Sequence, residues 1–449
     1  MIRRLLARLL PGNHARNPRV YGPDKHPVRA TQLSHGALTV TRKLQEQGFK
    51  AFVVGGAVRD LLLGIVPKDF DIATNATPEQ VKPLFRRAFV IGRRFRLVHV
   101  HVGNDVIEVS TFRAAQTGDD ATDEHGRLLS DNVYGSQAED AVRRDFTINA
   151  LYFDPATEAI WDYVGGVTDT RARRLKLIGP PVTRYREDPV RMLRAVRVAA
   201  KLGLTIDRKS EEPIAKLAPL MQNVPPPRLF DEMQKLLLSG HAAETLRSLR
   251  AHGLSHGLLP LLDVILEQPL GHKFIDAALA GTDRRVLEDK GVSPAFLFAA
   301  LLWHEVLVTW NAAKERGERP LPALFDAMDR VLSAQAERIA IPRRFEATIK
   351  EIWSLQPRFE QRAGTRPERL LEHPRFRAAY DFLVLRAESG EAPQALADWW
   401  TRFQDASPEE RQAMLRPDEA PKKRRRPRSR GRKHRAEGAG EAPPSGADE

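Results

Sequence analysis

The chain has 449 residues and no cysteine, which excludes disulfides, thiolate metal sites and cysteine nucleophiles. Its length predicts two or three domains, and 42% hydrophobic residues suffice for a sizeable core. The formal net charge of +13 is unevenly placed: residues 1–35 carry seven Lys or Arg against one acid, and residues 417–449 carry ten against six. Such basic arms favour a polyanion held through its phosphates, with a merely solubilising tail as the alternative.

The N-terminal part of the chain is predicted as a mixed α/β unit. Residues 1–30 contain four prolines and predict an irregular basic arm, and Arg8 breaks the apolar stretch that a signal peptide needs. A helix is predicted over residues 31–47, a second over Ala57–Leu63, and a mobile polar loop over residues 114–136. The predicted strands are Ala51–Val54, Phe70–Ile72, Phe89–Ile91, Leu97–Val102, Val106–Phe112 and Phe146–Phe153.

Beyond Pro180 the pattern becomes helical. Residues 188–202 are strongly amphipathic, and helices continue to about residue 415, with breaks predicted at Pro225–Pro227 and Arg319–Pro322. The composition of residues 416–449 cannot form a core and predicts disorder. No apolar run approaches the ~18 residues of a membrane helix, so no integral membrane segment is predicted. A weak peripheral membrane contact of the basic N-terminal arm stays open.

The segment GGAVRD, residues 55–60, lies between the first predicted strand and a helix. Two glycines allow the backbone to approach a ligand closely, and the N–H groups at a helix start attract an anion. Arg59 lies in the first turn, where it can contact a phosphate. A tight turn without a ligand is the alternative, and no Lys-Ser/Thr follows, as a GxxxxGK[ST] phosphate loop would require.

Two carboxylates follow in the sequence Asp69-Phe70-Asp71. On a strand, residues i and i+2 point to the same face, so both carboxylates are expected to converge. Two adjacent like charges are reasonable when a divalent cation lies between them, as in two-metal phosphoryl transfer. A solvent-facing edge strand is the alternative.

Two further motifs combine cations with carboxylates. Arg143-Arg144-Asp145 leads into a predicted strand and suits a site for a triphosphate and metal ions, although a structural ion pair is the alternative. In the second motif, charged residues recur every three positions and are expected on one stripe of a helix. A carboxylate and a guanidinium held there can read a base edge, with a solvated helix face as the alternative. The members of this motif are Glu187, Asp188, Arg191, Arg194 and Arg197.

Five segments occur in one order: GGAVRDLLLG, KDFDIATNATPEQV, RRDFTINALYFD, GGVTDTRARRLKLIG and EDPVRMLRAVRVAAKLG. Together they resemble the class II nucleotidyltransferases, the group of bacterial poly(A) polymerases and tRNA CCA-adding enzymes. The resemblance is dense over residues 50–205 and weaker in the helical part. It implies an α+β fold, in which a polymerase-β-like head with a mixed sheet precedes all-α neck and body domains, and a two-metal reaction with Mg²⁺.

The resemblance also suggests a division of the chain into functional parts. The predicted parts are an irregular basic arm (1–30), a nucleotidyltransferase head (31–178), a helical neck that binds nucleotide and RNA (179–260), a helical body that binds RNA (261–415) and a disordered basic tail (416–449).

By the same resemblance, Gly55, Gly56 and Arg59 bind the triphosphate, and Asp69 and Asp71 are the catalytic carboxylates that hold metal. These roles are carried over from the family motif and do not follow from spacing alone.

The remaining roles concern the third carboxylate and the nucleotide. Asp145 is the further catalytic carboxylate, with Arg144 beside it as a nucleotide contact. Glu108, which alternates away from the apolar residues of its strand, is a second candidate for the third carboxylate. The resemblance implies that Asp188 and Arg191 read the incoming base without a template, and that Arg194 and Arg197 complete the nucleotide site.

Three features favour the poly(A) polymerase branch. The segment VIGRRFRLVHV, residues 90–100, resembles the stretch that marks this branch, and the block Lys422–Arg435 resembles its basic tail. The region 358–391 resembles its C-terminal part. An enzyme that acts on many unrelated RNA ends benefits from phosphate attraction that ignores sequence.

The implied reaction is template-independent addition of AMP from ATP to RNA 3′-hydroxyl ends, with release of pyrophosphate and promotion of RNA decay. The implied substrates are mRNA fragments and small RNAs, and the implied partners are RNA-decay machinery and an RNA chaperone. The implied location is the cytoplasm, with a peripheral position at the inner membrane left open. A tRNA CCA-adding enzyme and a catalytically inactive RNA-binding adaptor are the alternatives.

Overall fold

The computed structural model describes residues 17–92, 96–114, 133–254, 269–337 and 339–415. The predicted α+β organisation is confirmed, because a mixed sheet at the N-terminal side is followed by a helical part. Residues 1–16, residues 416–449 and most of the predicted loop at 114–136 lie outside the described residues. The prediction that residues 1–30 form an irregular arm was wrong at Arg19–Tyr21, which forms a strand of the sheet. The strands are β1 Arg19–Tyr21, β2 Ala51–Val54, β3 Asp71–Thr74, β4 Ala88–Ile91, β5 Leu97–Val102, β6 Asp105–Thr111, β7 Leu151–Asp154, β8 Ala159–Asp162, β9 Arg174–Leu175 and β10 Thr205–Ile206.

Eight strands form one sheet in the order β1-β8-β7-β2-β3-β6-β5-β4. The pair β3–β6 is parallel, and the other pairs are antiparallel. The short strands β9 and β10 pair in parallel apart from this sheet. The register aligns Asp71 of β3 with Glu108 of β6, Glu108 with His99 of β5, and His99 with Phe89 of β4. These four residues therefore form one row across half of the sheet.

The two faces of the sheet are covered differently. Helix α1, His35–Glu46, packs on one face over a core that includes Val53, Ile72 and Val109. On the opposite face a smaller aromatic cluster around Phe52, Phe112 and Tyr152 covers the central strands. At β4 and β6, this second face leaves Phe89, Ile91 and Val106 exposed.

Helices build the rest of the described chain. They are α2 Gly56–Leu62, α3 Pro78–Val81, α4 Gln137–Arg143, α5 Gly166–Arg171, α6 Pro181–Glu187, α7 Val190–Leu202, α8 Arg208–Glu211, α9 Ile214–Leu217, α10 Pro226–Leu237, α11 Ala242–Ala251, α12 Pro269–Leu287, α13 Pro294–Glu315, α14 Pro320–Ala336, α15 Arg343–Leu355, α16 Arg366–Leu371, α17 Phe376–Glu388, α18 Gln394–Asp405 and α19 Pro408–Met414. Short 3₁₀ turns lie at Pro23–Lys25, Ala30–Gln32, Lys82–Leu84, Thr147–Asn149, Ala218–Asn223 and Gln356–Arg358. One large apolar core joins α7 through α15, and a second, rich in Trp and Phe, lies under α16 to α18.

The predicted helix breaks at the prolines are confirmed in position. Pro226 begins α10 and Pro320 begins α14, where a missing N–H and a fixed φ are no disadvantage. The helix predicted from residue 31 starts later, at His35, because Ser34 caps it by accepting a hydrogen bond from the N–H of Ala37.

Two strand predictions were partly wrong. The strand predicted at Phe70–Ile72 begins at Asp71, because its antiparallel partner β2 ends at Val54 and the chain then turns at Gly55. Asp69 therefore precedes the strand. The strand predicted at Phe146–Phe153 begins only at Leu151. Before it, Thr147–Asn149 is a 3₁₀ turn, which the Asp145 side chain stabilises by accepting hydrogen bonds from the N–H of Phe146 and the amide of Asn149.

Helix α13 is long and apolar enough to cross a membrane by length and composition. Half of its most apolar stretch is buried within the protein, where Phe298, Leu302 and Trp303 belong to the main helical core. It packs against α14 and α15. We therefore interpret α13 as the central core helix of this part of the chain.

Candidate active site

A cavity of about 450 Å³ lies where α2 and the segment before β7 meet α7 and α10. Its volume falls within the usual range for small-molecule sites. Seven cationic side chains and three carboxylates line it, so the lining carries a large excess of positive charge. Its lining residues are Gly55, Gly56, Arg59, Asp71, Arg144, Asp145, Asn149, Asp188, Arg191, Arg194, Arg197, Val198, Lys201, Leu202 and Arg228.

The glycine turn forms one wall of this cavity. Gly55 has φ +79° and ψ −127°, a conformation that residues with a side chain rarely adopt. Arg59, three residues after Gly56, is almost fully buried, and its Nη1 donates to Oδ1 of Asn149 at 2.6 Å. Its Nε also donates to Asp60 at 2.8 Å. The guanidinium is thus fixed at the cavity wall before any ligand arrives.

Arg144 is fixed from the side of the sheet. Its Nη2 donates to Oδ2 of Asp140 at 3.0 Å, and its Nε lies 3.2 Å from the hydroxyl oxygen of Tyr152. The Tyr152 hydroxyl donates to the same carboxylate at 2.7 Å. Burial alone would lower the pKa of Arg144, but Tyr152 and Asp140 outweigh it and raise the pKa. Arg144 therefore stays a permanent cation beside Gly55.

Asp145 is enclosed by hydrogen-bond donors. Its Oδ2 accepts from Nε of Arg194 at 2.9 Å and from Nη2 at 2.5 Å, and its Oδ1 accepts from Asn149 and the Phe146 backbone. Burial would raise its pKa, but Arg194 and Asn149 lower it to about 2. This carboxylate is ionised and already occupied by protein donors.

Glu187 ends α6 and Asp188 lies in the extended link between α6 and α7, so the expectation that these two residues share a helix with Arg191 was wrong. Pro189 explains the interruption, because a residue that precedes proline is disfavoured in the helical region. Oδ2 of Asp188 accepts from Nη2 of Arg228 on α10 at 2.7 Å. Arg191 instead donates to Glu187 at 3.0 Å and to the carbonyl oxygen of Arg184 at 2.7 Å.

Glu232 of α10 connects the cations at the other end of the cavity. Its carboxylate lies 3.5 Å from Arg197, 4.0 Å from Arg194 and 3.3 Å from Lys235. Burial lowers the pKa of Arg197 and of Lys201, while Glu232 and Asp60 respectively act against that shift. The described cations at this end are thus crowded and partly desolvated, a condition that binding of a polyanion would relieve.

The remaining predicted carboxylates lie at the edge of this basic cavity. Asp71 lines it, whereas Asp69 lines an adjoining cleft of about 800 Å³ that shares Arg197 and Lys201 with it. Partial desolvation raises the pKa of Asp71 to about 6, followed in size by repulsion from Glu108, and Asp69 adds further repulsion. Glu108 pairs in register with Asp71, and its Oε1 lies 3.2 Å from Nε2 of His99. Glu108 and Asp69 thus both act on Asp71 as like charges.

This donor set fits a divalent cation coordinated in part by the substrate. Among the described residues, no three His, Cys, Asp or Glu side chains already form a cage for a metal ion. Mg²⁺ does not need one, because it commonly keeps several waters and uses one or two carboxylates together with substrate phosphates. Burial and repulsion from Glu108 raise the pKa of Asp71 although Arg144 acts against the shift, and a divalent cation bound there would favour the ionised carboxylate.

The structure brings nearly all the predicted site residues to one place. The eight residues predicted to bind nucleotide line the cavity together with Asp71 and Asp145, and Asp69 lines the adjoining cleft. The sequence interpretation missed Arg228, Lys201 and a role for Asn149. Lys201 continues the stripe of Arg194 and Arg197 at helical spacing, so its position was available from the sequence. Arg228 lies 40 residues from Asp188 and had no such signal.

Three family models match the chain. "Poly A polymerase head domain" matches residues 51–176, "Probable RNA and SrmB- binding site of polymerase A" matches 203–266, and "Polymerase A arginine-rich C-terminus" matches 316–434. The solved structure described as "Crystal structure of Bacillus stearothermophilus CCA-adding enzyme in complex with CTP" is 27% identical, with a TM-score of 0.53 over 84% of this chain and 81% of that chain. The fold and the site are those of a template-independent nucleotidyltransferase.

Similarity to curated proteins separates the two branches. "Poly(A) polymerase I" of Haemophilus influenzae is 46% identical over 412 residues, which cover 87% of this chain and 91% of the relative. A "CCA-adding enzyme" of Geobacillus thermodenitrificans is 40% identical over 220 residues, which cover 49% of this chain and 53% of the relative. The chain belongs to the poly(A) polymerase I family and is a polynucleotide adenylyltransferase, as the sequence predicted.

Proposed function

We propose that ATP binds in the arginine-lined cavity with its triphosphate against Gly55, Gly56 and Arg59. The observation that carries this proposal is the charge of the lining, where seven cations face three carboxylates. Arg144, Arg194 and Arg197 complete the contacts to the phosphates. Since Asp140, Asp145 and Glu232 hold these guanidinium groups in place, little reorganisation is needed when the nucleotide binds.

The base end of the nucleotide lies at Asp188, Arg191 and Arg228 in this proposal. A carboxylate and a guanidinium held together offer an acceptor and donors to a base edge. Because Arg228 fixes the Asp188 carboxylate, the direction in which its free lone pairs point is set by α10 as well as by α7. This arrangement recognises the incoming base without a nucleic-acid template.

Asp69, Asp71 and Glu108 are the groups that would hold Mg²⁺. The bound ion would supply charge neutralisation on the phosphates and would make the RNA 3′-hydroxyl easier to deprotonate. Glu108 is the third carboxylate in this proposal because it aligns with Asp71, while Asp145 is a positioning residue that orients Arg194. The deprotonated 3′-oxygen forms a bond to the α-phosphorus, the bond between the α-phosphorus and its bridging oxygen breaks, and pyrophosphate leaves with the electron pair.

The wider proposal concerns the substrates and the parts of the chain. The RNA ends of mRNA fragments and small RNAs are substrates whose tails promote decay in the cytoplasm, in concert with decay machinery and an RNA chaperone. The neck, body and basic tail keep the boundaries predicted from the sequence, and the head also includes strand β1, Arg19–Tyr21, which pairs with β8. Support comes from the order of the matched family models and from the excess of basic residues in both arms.

The test is nucleotide addition with Mg²⁺ to a generic RNA oligomer and to a tRNA that lacks its 3′ end, each with ATP alone, CTP alone or both. A long ladder from ATP alone on the generic RNA is the expected result. A short, fixed extension on the tRNA that requires CTP would contradict the assignment of ATP as substrate. No addition by folded protein would favour an RNA-binding adaptor.

A further inference from the structure

The row Asp71, Glu108, His99 and Phe89 connects the active site with an exposed surface. Successive residues of this row lie on neighbouring strands, at a spacing of ~4.8 Å, so Phe89 is about 14 Å from Asp71. That distance corresponds to a few nucleotides of a single strand. The row therefore starts at a carboxylate of the proposed metal site and ends at an aromatic ring on the edge of the sheet.

Phe89 is unusually placed for a large apolar residue. Its side chain lies on the edge strand β4 and is 55% exposed, and Ile91 and Val106 are exposed on the same face. Natural sheets usually protect such an edge with charges, prolines or a covering element. His101 packs edge-to-face against Phe89, with ring centroids 5.6 Å apart. An exposed ring supported in this way is a suitable surface for stacking a base.

The charge along this surface changes from negative at the Asp71 end to positive at the Phe89 end. The carboxylates of Asp71 and Glu108 lie at the end where a metal ion is expected. Arg86 and Arg87 are exposed at the other end, in the turn that immediately precedes β4 and Phe89. A negatively charged strand with its hydroxyl terminus near the metal and its upstream phosphates near arginines would complement both ends.

We propose that this open face of β4, β5 and β6 binds the last few nucleotides of the RNA substrate, with Phe89 as the stacking residue that leads the 3′-hydroxyl to Asp71. The proposal rests on the function proposed above and adds the path of the RNA. Stacking on an aromatic ring is tolerant of sequence, because every base presents a π face. The occupant is single-stranded RNA, since the surface is continuous through the sheet register with the group that acts on the RNA end.

The positions of the other side chains in the row agree with this path. Nε2 of His99 lies 3.2 Å from Oε1 of Glu108, so His99 positions that carboxylate between the stacking end and Asp71. Asp71 lines the nucleotide cavity, and β2, which leads into Gly55 of that cavity, lies on the side of β3 opposite to β6. An RNA 3′-oxygen arriving along the row would therefore approach the α-phosphorus from the side opposite to the cations that hold the leaving pyrophosphate, as in-line displacement requires.

The test compares the full-length variants Phe89→Ala and Phe89→Trp with Phe325→Ala. Phe325, on α14, is a control of similar exposure at 48%. Binding is measured by fluorescence anisotropy with a labelled short oligo(A) that ends in a 3′-deoxynucleotide, so no catalysis is needed. We expect Phe89→Ala to weaken RNA affinity by roughly tenfold, Phe89→Trp to retain it, and Phe325→Ala to match the wild type.

Kinetics and cross-linking distinguish this role from a structural one. Phe89→Ala should raise the KM for RNA by about the same factor and leave the KM for ATP unchanged. A photoreactive benzoylphenylalanine at position 89 should cross-link to the last few nucleotides of the oligo(A). Unchanged RNA affinity in Phe89→Ala, or no cross-link near the 3′ end, would overturn the proposal and leave the face as a protein-docking surface. A wild-type protein that binds RNA but does not add AMP from ATP would instead count against the proposed function.

Discussion

The nucleotide cavity and the row that begins with the carboxylates Asp71 and Glu108 differ in their electrostatics. In the cavity each key cation already has a protein anion: Arg194 has Asp145, Arg228 has Asp188, and Arg197 has Glu232. In the row, like charges face each other, and the pKa of Asp71 is raised to about 6.

This difference between paired cations and repelling carboxylates explains how one site can be rigid and still depend on ligands. Paired cations hold their geometry without substrate, which favours preorganised recognition of a triphosphate. In the proposed metal site a bound cation would relieve the repulsion between the carboxylates, so metal binding and substrate binding would be coupled.

Asp71→Asn should nearly abolish AMP addition, because it removes a carboxylate of the proposed metal site. We expect AMP addition to fall by at least about a thousandfold, because a metal ligand is lost where charge neutralisation contributes several kcal/mol to the transition state. ATP affinity, measured by fluorescence of an ATP analogue without Mg²⁺, should change little. Substantial residual activity in a folded protein would show that the row is not the metal site.

Glu108→Gln tests whether Glu108 is the third carboxylate that holds Mg²⁺. We expect a fall in kcat of about a hundredfold and a rise in the Mg²⁺ concentration needed for half-maximal rate, because one ligand of the ion becomes neutral. Glu79→Gln, at an exposed position of α3, serves as the control. A larger shift in Mg²⁺ requirement for Asp145→Asn than for Glu108→Gln would assign the third carboxylate to Asp145 instead.

Asp145→Asn should act on stability and nucleotide binding. Removal of the anion that pairs with Arg194 is expected to lower the free energy of unfolding by about 2 kcal/mol, a value reduced from that of a fully buried pair because Arg194 is partly exposed. The KM for ATP should rise as Arg194 loses its orientation.

The pH dependence of this stability term has a definite sign. The pKa of Asp145 is lowered to about 2 in the folded protein, from an ordinary value of about 3.9. The contribution is therefore complete above about pH 5 and is lost as the pH falls through about 4 towards 2. Urea unfolding of the wild type and Asp145→Asn should give a constant difference from pH 7 to about pH 5 and a shrinking one below. A difference that disappears near neutral pH would contradict the lowered pKa.

Arg228→Ala should loosen base recognition. Without its partner, Asp188 no longer has a fixed orientation, and we expect the ratio of kcat/KM for ATP over CTP to fall by about tenfold. The measurement is single-nucleotide addition to oligo(A) with each triphosphate. Arg247→Ala, at an exposed ion pair of α11, is the control. An unchanged ratio would place base selection on Arg191 and Asp188 without help from α10.

Deletion of residues 417–449 should have the smallest effect on the active site. These residues carry ten Lys or Arg against six acids, so their loss should weaken RNA affinity severalfold and flatten its dependence on salt. ATP binding should be unchanged. Filter-binding titrations at several salt concentrations provide the measurement, and an identical salt slope in the truncated protein would contradict a phosphate-binding role.

The class of fold and most of the candidate site could be predicted from local sequence patterns. Gly55 and Gly56 between a short apolar strand and a helix, the pair Asp69 and Asp71, and arginines at a spacing of three are local patterns. Local patterns can be recognised in a sequence because backbone conformation and helical period depend on near neighbours. For the same reason the boundaries were less accurate: β3 begins at Asp71 because its partner strand ends, which is a property of another part of the chain.

Which of these groups contact one another depends on the packing of distant parts of the chain. Strand register aligned Asp71 with Glu108 and extended the row to Phe89, and the packing of α10 on α7 brought Arg228 to Asp188 and Glu232 to Arg197. These contacts join residues far apart in sequence, so the periodicity of a helix or strand does not predict them. Whether a carboxylate such as Asp145 is occupied by an internal cation or is left to bind a metal ion depends on such contacts, because electrostatic interactions act through space and not along the chain.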